Sequence, residues 1–154
     1  MTRYFLDTSA LVKRYHPEPG TAAVLALFND PSMTIYASRL AMVECVSAFC
    51  IRIRSGQLAA NRLPIVRKFL WSDANKGKLV VTRLLVRHLN LAEDLLLRHA
   101  PIYRLRSTDA IHLAVAITLF RNQGIDSFVS ADTAQCHIAR LEGLPTINPL
   151  APVP

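Results

Sequence analysis

Short apolar runs alternate along the chain with longer stretches in which apolar residues recur every three or four positions, a pattern that predicts strands interleaved with helices. Tyr4-Phe5-Leu6 reads as a buried strand ending at Asp7-Thr8-Ser9, and Ala10 to Tyr15 opens a helix that Pro17 and Pro19 stop. Thr21 to Phe28 has helical spacing, Asp30-Pro31 makes a turn, and Met33 to Ala37 reads as a second strand. Ser38 then caps a helix over Arg39 to Arg54, whose spacing puts Leu40, Val43, Glu44, Ser47 and Ala48 on neighbouring turns of one face. Leu58 to Trp71 predicts a helix interrupted near Pro64, Lys78 to Thr82 a β-branched strand, and Val86 to His99 another helix. Ser107 or Thr108 caps the long apolar helix Asp109 to Arg121, which ends near Gly124. A short strand over Ser127 to Ala131, a helix over Thr133 to Glu142 with Gly143 as its C-cap, and an extended piece at Thr146 to Asn148 complete the series. This alternation predicts an α/β protein with a parallel sheet and helices on both faces. No internal repeat or linker divides it, so residues 1–150 are read as one domain and 151–154 as a short Pro-rich tail.

Composition adjusts this picture in three places. Hydrophobic residues make up 51% of the 154 positions and charged residues only 19%, an apolar surplus that either packs into the core or forms a subunit interface. Cys45, Cys50 and Cys136 are odd in number and lack C-x-x-C spacing, so they read as buried, reduced thiols. Asp7 interrupts the apolar start, and the most apolar run, Ala110 to Phe120, contains His112 and falls short of the roughly 20 residues a membrane span needs. The expectation is a soluble, cytoplasmic protein without a membrane segment. Eighteen Lys plus Arg against eleven Asp plus Glu give a net charge of +7, which favours a polyanionic partner, nucleic acid first.

The few acids carry the candidate chemistry. Asp7 and Asp132 end apolar strands, and Asp109 falls in the first turn of a helix. In an open parallel sheet the carboxyl ends of strands and the N-termini of the following helices share one edge, where such folds build ligand sites. Glu44 joins them if its helix packs across that edge. Two carboxylates about 4 Å apart repel by roughly 4 kcal/mol at an effective dielectric of 20, so several together call for a cation. Oxygen donors without a His or Cys pattern favour a hard ion, Mg²⁺ with Mn²⁺ as substitute. Such an ion activates water and stabilises charge growing on a phosphodiester. Each acid also has a plainer use: Asp7 and Asp132 as helix caps, Asp109 as a first-turn acid on the helix dipole, Glu44 as partner to an Arg. Lys13 and Arg14, just after the first aspartate, are candidate phosphate contacts. His112, one turn past Asp109, reads as a packed core histidine, Asp126 as a turn residue and Trp71 as an apolar anchor.

The runs YFLDTSALVKRY, AMVECVSAF, RSTDAIHLAVA, and FVSAD followed by EGLPTINP resemble the PIN-domain family, and most closely its VapC-type toxins. The match spans nearly the whole chain, with the four blocks in the family's order. The resemblance implies a PIN-like α/β/α sandwich and a Mg²⁺- or Mn²⁺-dependent endoribonuclease. It implies metal binding and catalysis by Asp7, Glu44 and Asp109, with Asp132 as the fourth acid. Ser9 and Ser130 match hydroxyl positions that support metal-bound water or the first aspartate. It also implies an RNA substrate, a homodimer and a VapB-type antitoxin whose tail blocks the site. The alternatives are a catalytically silent RNA- or partner-binding module on the same fold, or a PIN nuclease outside a toxin-antitoxin pair. A haloacid-dehalogenase-like phosphatase is disfavoured because Ser9 stands where its second aspartate belongs, and a receiver domain because Asp7 has no acidic neighbour.

Overall fold

The computed structural model describes residues 1–151; the remainder of the expected Pro-rich tail, 152–154, lies outside the described residues. Five strands, β1 (Thr2–Leu6), β2 (Met33–Ser38), β3 (Val80–Thr82), β4 (Ser127–Val129) and β5 (Thr146–Ile147), form one sheet in the order β3-β2-β1-β4-β5. Every neighbouring pair is parallel. Parallel strands need crossovers, and the helices α1 (Thr8–Leu11), α2 (Thr21–Asn29), α3 (Arg39–Arg54), α4 (Leu63–Asn75), α5 (Val86–His99), α6 (Ser107–Arg121) and α7 (Thr133–Leu141) occupy them.

Both sheet faces are covered, and the period of two within each strand decides which residue goes where. Leu6, Ile35, Ala37 and Val129 point into one core with Ala10, Val24, Cys45, Phe49 and Leu70, which is the layer of α1 to α4. Their neighbours Phe5 and Phe128 point the other way, among Leu95, Leu113, Ile117 and Ile138 from α5, α6 and α7. Phe5 and Phe128 are register partners on adjacent strands and stack with ring centroids 6.1 Å apart. The result is the α/β/α sandwich expected from the resemblance. Among the described residues no helix is long and apolar enough to cross a membrane.

Several boundaries move for identifiable reasons. The first helix is one α-turn followed by a 3₁₀ turn at Val12–Arg14 rather than a run from Ala10 to Tyr15. Pro64 does not interrupt a helix; it sits in the first turn of α4, where its missing N–H costs nothing. Neither Ser107 nor Thr108 caps α6, which starts two residues earlier than expected, at Ser107, with Arg106 as an N-cap that makes no side-chain bond. The buried stripe of α3 is Ala41, Met42, Cys45 and Phe49; of the predicted face, Val43 and Ser47 are exposed, Leu40 and Glu44 are half-buried, and Ala48 packs against the edge of the core. Gly143, with φ 79°, supplies the left-handed residue that ends α7, as expected.

Candidate metal and nuclease site

The strand order reverses direction between β1 and β4, because β2 lies to one side of β1 and β4 to the other. A crevice forms at such a switch point, outside the carboxyl ends of the strands. Here it is a cavity of about 430 Å³ lined by Asp7, Glu44, Asp109 and Asp132 together with Ser9, Lys13 and His112. Asp7 arrives from the end of β1, Glu44 from the second turn of α3, Asp109 from the first turn of α6 and Asp132 from the N-cap of α7. The lining also includes Glu18, making five carboxylates against the three permanent cations Lys13, Arg52 and Arg106.

Asp7 is the most enclosed of the four. Its carboxylate caps α1 through the Ala10 N–H at 3.0 Å and accepts the Ser9 hydroxyl at 2.8 and 2.9 Å and the Ser130 hydroxyl at 2.9 Å. Only 4% of the residue is exposed. Burial pushes its carboxyl up to about 6, and His112 with the three hydrogen-bond donors recovers only part of the cost. Ser9 in turn accepts the Ala131 N–H at 2.9 Å, and Ser130 accepts the Asp132 N–H at 3.0 Å, so the two hydroxyls tie the first aspartate to the segment bearing the fourth. Gln135, buried on α7, accepts from Ser130 and donates to the Asp109 carbonyl at 3.2 Å, which links a third acid into the same set.

The other acids use different partners. Glu44 accepts from the Thr8 hydroxyl and from His112 Nε2 at 2.5 Å. Burial pushes its carboxyl up, but the bonds from His112, Thr8 and Thr108 outweigh that and hold it below the usual range. Asp109 accepts from Arg106 at 3.0 Å. Asp132 caps α7 through the Ala134 N–H at 2.9 Å and accepts Arg104 at 2.7 Å, so cap and site acid are one residue. With the carboxylates turned to these partners, no three acidic, imidazole or thiol groups converge as a metal-ligand cluster among the described residues. The donor set nevertheless fits a hard divalent cation: it is all carboxylate oxygen, it includes the buried Asp7, which pairs with no Lys or Arg among the described residues, and two of its members already recruit guanidinium groups.

The basic candidates separate. Lys13 lines the cavity, but it is buried and its Nζ donates to Glu18 at 2.7 Å, and Arg52 bonds the same carboxylate. Arg14 does not reach the cavity: it pairs with the buried Asp73 at 3.1 Å and lies 4.9 Å from the ring centroids of Phe28 and Phe69. The expected phosphate contact at Arg14 is thereby corrected, because desolvation among two rings and an acid leaves its guanidinium no free face. Asp126 lies in a bend and pairs with Arg3, and Trp71 packs against the core beneath Arg39, both in line with expectation. His112 is core-buried as predicted, yet it also touches the site. The signal was present in its spacing of three from Asp109 within the most apolar helix, where a polar side chain needs a partner. Glu18 and Gln135 carried no comparable signal.

Comparison with known proteins is consistent with this geometry. The PIN-domain family profile matches residues 4–141. No curated protein sequence matches significantly. Among solved structures, VapC20 of Mycobacterium tuberculosis, a sarcin-ricin loop cleaving toxin, superposes with a TM-score of 0.64 at 16% identity over 87% of this chain and 93% of that one. VapBC2 from Rickettsia felis, bound to a DNA fragment from its promoter, gives 0.60 at 14% identity over 96% and 98%. FitAcB from Neisseria gonorrhoeae gives 0.60 at 14% identity over 95% and 97%. At such identities these structures speak for the fold.

Proposed function

Since the chain belongs to the PIN-domain family, we propose that it is a Mg²⁺-dependent endoribonuclease, with Mn²⁺ as substitute, acting as the toxin of a toxin-antitoxin pair. The observation that carries this reading is the gathering of Asp7, Glu44, Asp109 and Asp132, from four segments spread over the chain, around one cavity at the switch point of the sheet. These four carboxylates would hold the cation. When bound, a divalent ion supplies activation of water and stabilisation of charge on the phosphodiester.

The chain's own groups then have assignable parts. Ser9 and Ser130 orient Asp7, leaving its carboxylate at the cavity floor. Arg106 and Arg104, both largely exposed at the rim, can leave Asp109 and Asp132 for a phosphate once the acids have a better partner. Lys13 and Arg52 also line the cavity, both held by Glu18, and would turn to the RNA backbone on release of that carboxylate. Sequence-independent phosphate contacts of this type position a strand without reading its bases.

The antitoxin partner is supported by the fold shared with VapBC2 and FitAcB, and a homodimer by the exposed Val86, Leu97 and Ile102. A cytoplasmic location follows from the same reading. The test is direct: purified protein with Mg²⁺ or Mn²⁺ cuts RNA, EDTA stops it, and Asp7→Asn abolishes cutting while circular dichroism stays native. Cutting that survives in Asp7→Asn rejects the assignment. A folded protein that binds RNA without cutting it supports a silent binding module instead.

A further inference from the structure

Thr8, Ser38 and His112 make a set of hydrogen bonds that ends on Glu44, and no step of the proposed nuclease reaction uses them. His112 is 1% exposed, yet both of its ring nitrogens have partners. Nδ1 lies 3.1 Å from Ser38 Oγ; Nε2 lies 2.5 Å from Glu44 Oε2 and 3.2 Å from Thr8 Oγ1. Ser38 is fully buried and its Oγ already accepts the Ala41 N–H at 3.1 Å, which caps α3. An ionised carboxylate only accepts, so the ring nitrogen 2.5 Å from Glu44 carries the proton, and the Ser38 hydroxyl, which keeps its own proton after accepting from Ala41, is free to donate to Nδ1. Nδ1 is then the acceptor of the ring, and the imidazole proton resides on Nε2, where it is donated to Glu44. The Thr8 hydroxyl donates to the same Oε2.

Two donors, one from α1 and one from α6, therefore converge on a single oxygen of Glu44. They fix the plane of a carboxylate on the α3 face that lines the cavity, and Oε1 is the oxygen that neither of them bonds. We propose that His112 is a positioning residue: held by Ser38 as the Nε2–H tautomer, it works with Thr8 to aim Glu44 Oε1 at a divalent cation. The cation rests on the nuclease reading above; the hydrogen-bond set does not. The alternative use of His112 is volume alone, filling the junction between sheet edge and α6. An apolar residue of similar size would serve that purpose equally, so the two uses differ in what substitution does to Glu44 and not in whether the chain folds.

The experiment has two arms. In the metal-free wild-type protein, ¹⁵N NMR of the histidine ring nitrogens is expected to place the proton of His112 on Nε2; a proton on Nδ1 overturns the proposal. Mn²⁺ affinity is then measured calorimetrically for wild type, His112→Leu, His112→Gln and Thr8→Val, each checked for native circular dichroism. Loss of an outer-shell hydrogen bond to a ligand characteristically weakens metal binding by about 10–100-fold, and His112→Leu is expected in that range. His112→Gln, whose side-chain amide can donate to Glu44 again, is expected to recover most of the loss. Thr8→Val removes one donor at a half-buried position and is expected to weaken binding less, which keeps the comparison available if His112→Leu does not fold. A folded His112→Leu that binds Mn²⁺ as wild type does overturns the proposal while leaving the nuclease reading intact. Wild-type protein that binds no Mn²⁺ overturns both, and is distinguished from the former by that control alone.

Discussion

Replacing Asp7 by Asn should stabilise the metal-free protein at neutral pH while destroying its activity. The folded carboxyl is raised from 3.8 to about 6 by burial. The sign follows from the direction of that displacement: the contribution of Asp7 to stability is complete below about 3.8, where it is protonated in both states, and is lost as pH rises through about 6. Above that, the ionised side chain costs the fold roughly 3 kcal/mol relative to an unperturbed carboxyl. Asn avoids this cost and keeps one oxygen for the Ala10 N–H, but it substitutes an amino group where Ser9 and Ser130 donate, a loss of about 1 kcal/mol. The net gain is about 2 kcal/mol, or roughly 4–8 °C in melting temperature for a chain of this size. Calorimetric unfolding in EDTA at pH 7.5 reads that gain directly, and at pH 4.5 the difference should shrink or reverse. Adding Mg²⁺ at pH 7.5 should raise the wild-type melting temperature and leave the variant unmoved, since only the native wild-type site binds the ion. An Asn variant that melts at or below wild type in EDTA at pH 7.5, or a gain that persists undiminished at pH 4.5, refutes the account of Asp7 as a buried acid whose burial cost its partners recover only in part.

Two arginine pairs should behave oppositely. Arg14→Ala strands the buried Asp73 and removes contact with Phe28 and Phe69, so urea unfolding should show a loss of about 3–5 kcal/mol, whereas Arg104→Ala, at an exposed pair with Asp132, should cost under about 1 kcal/mol. Equal losses would contradict the burial argument. Glu18→Gln leaves Lys13 and Arg52 without their shared carboxylate; RNA binding to the metal-free protein should tighten and its salt dependence steepen by about one to two phosphate contacts, while the melting temperature falls. An unchanged salt slope would remove this flank from the RNA path. Finally, iodoacetamide at pH 8 should modify Cys50 well ahead of the other thiols, because Cys45 is buried and its thiol is pushed far up, and burial raises Cys136 to about 11. Mass spectrometry of the native protein showing early labelling at Cys45 would contradict the packing of α3.

Local patterning by itself determined the element types, their order and the parallel sheet, because a period of two or of three to four is a property of adjacent residues. Asp7 and Asp132 were legible as candidates because each lies where a strand hands over to a helix, and Asp109 because it falls in the first turn of a helix. Glu44 was legible only as a carboxylate on an otherwise apolar helix face, and that face proved to be half-buried along the cavity wall. What the residues contact was decided by the tertiary structure. Arg14 and Lys13 adjoin in sequence, but the 3₁₀ turn sends one into a ring-lined pocket against Asp73, 59 positions away, and the other to the cavity wall. His112 and Glu44 are 68 positions apart and meet only because α3 and α6 both start at the carboxyl edge of one sheet. Hydrogen bonds of that reach depend on strand order, and strand order is set by the burial of two whole sheet faces, to which no single segment holds the key.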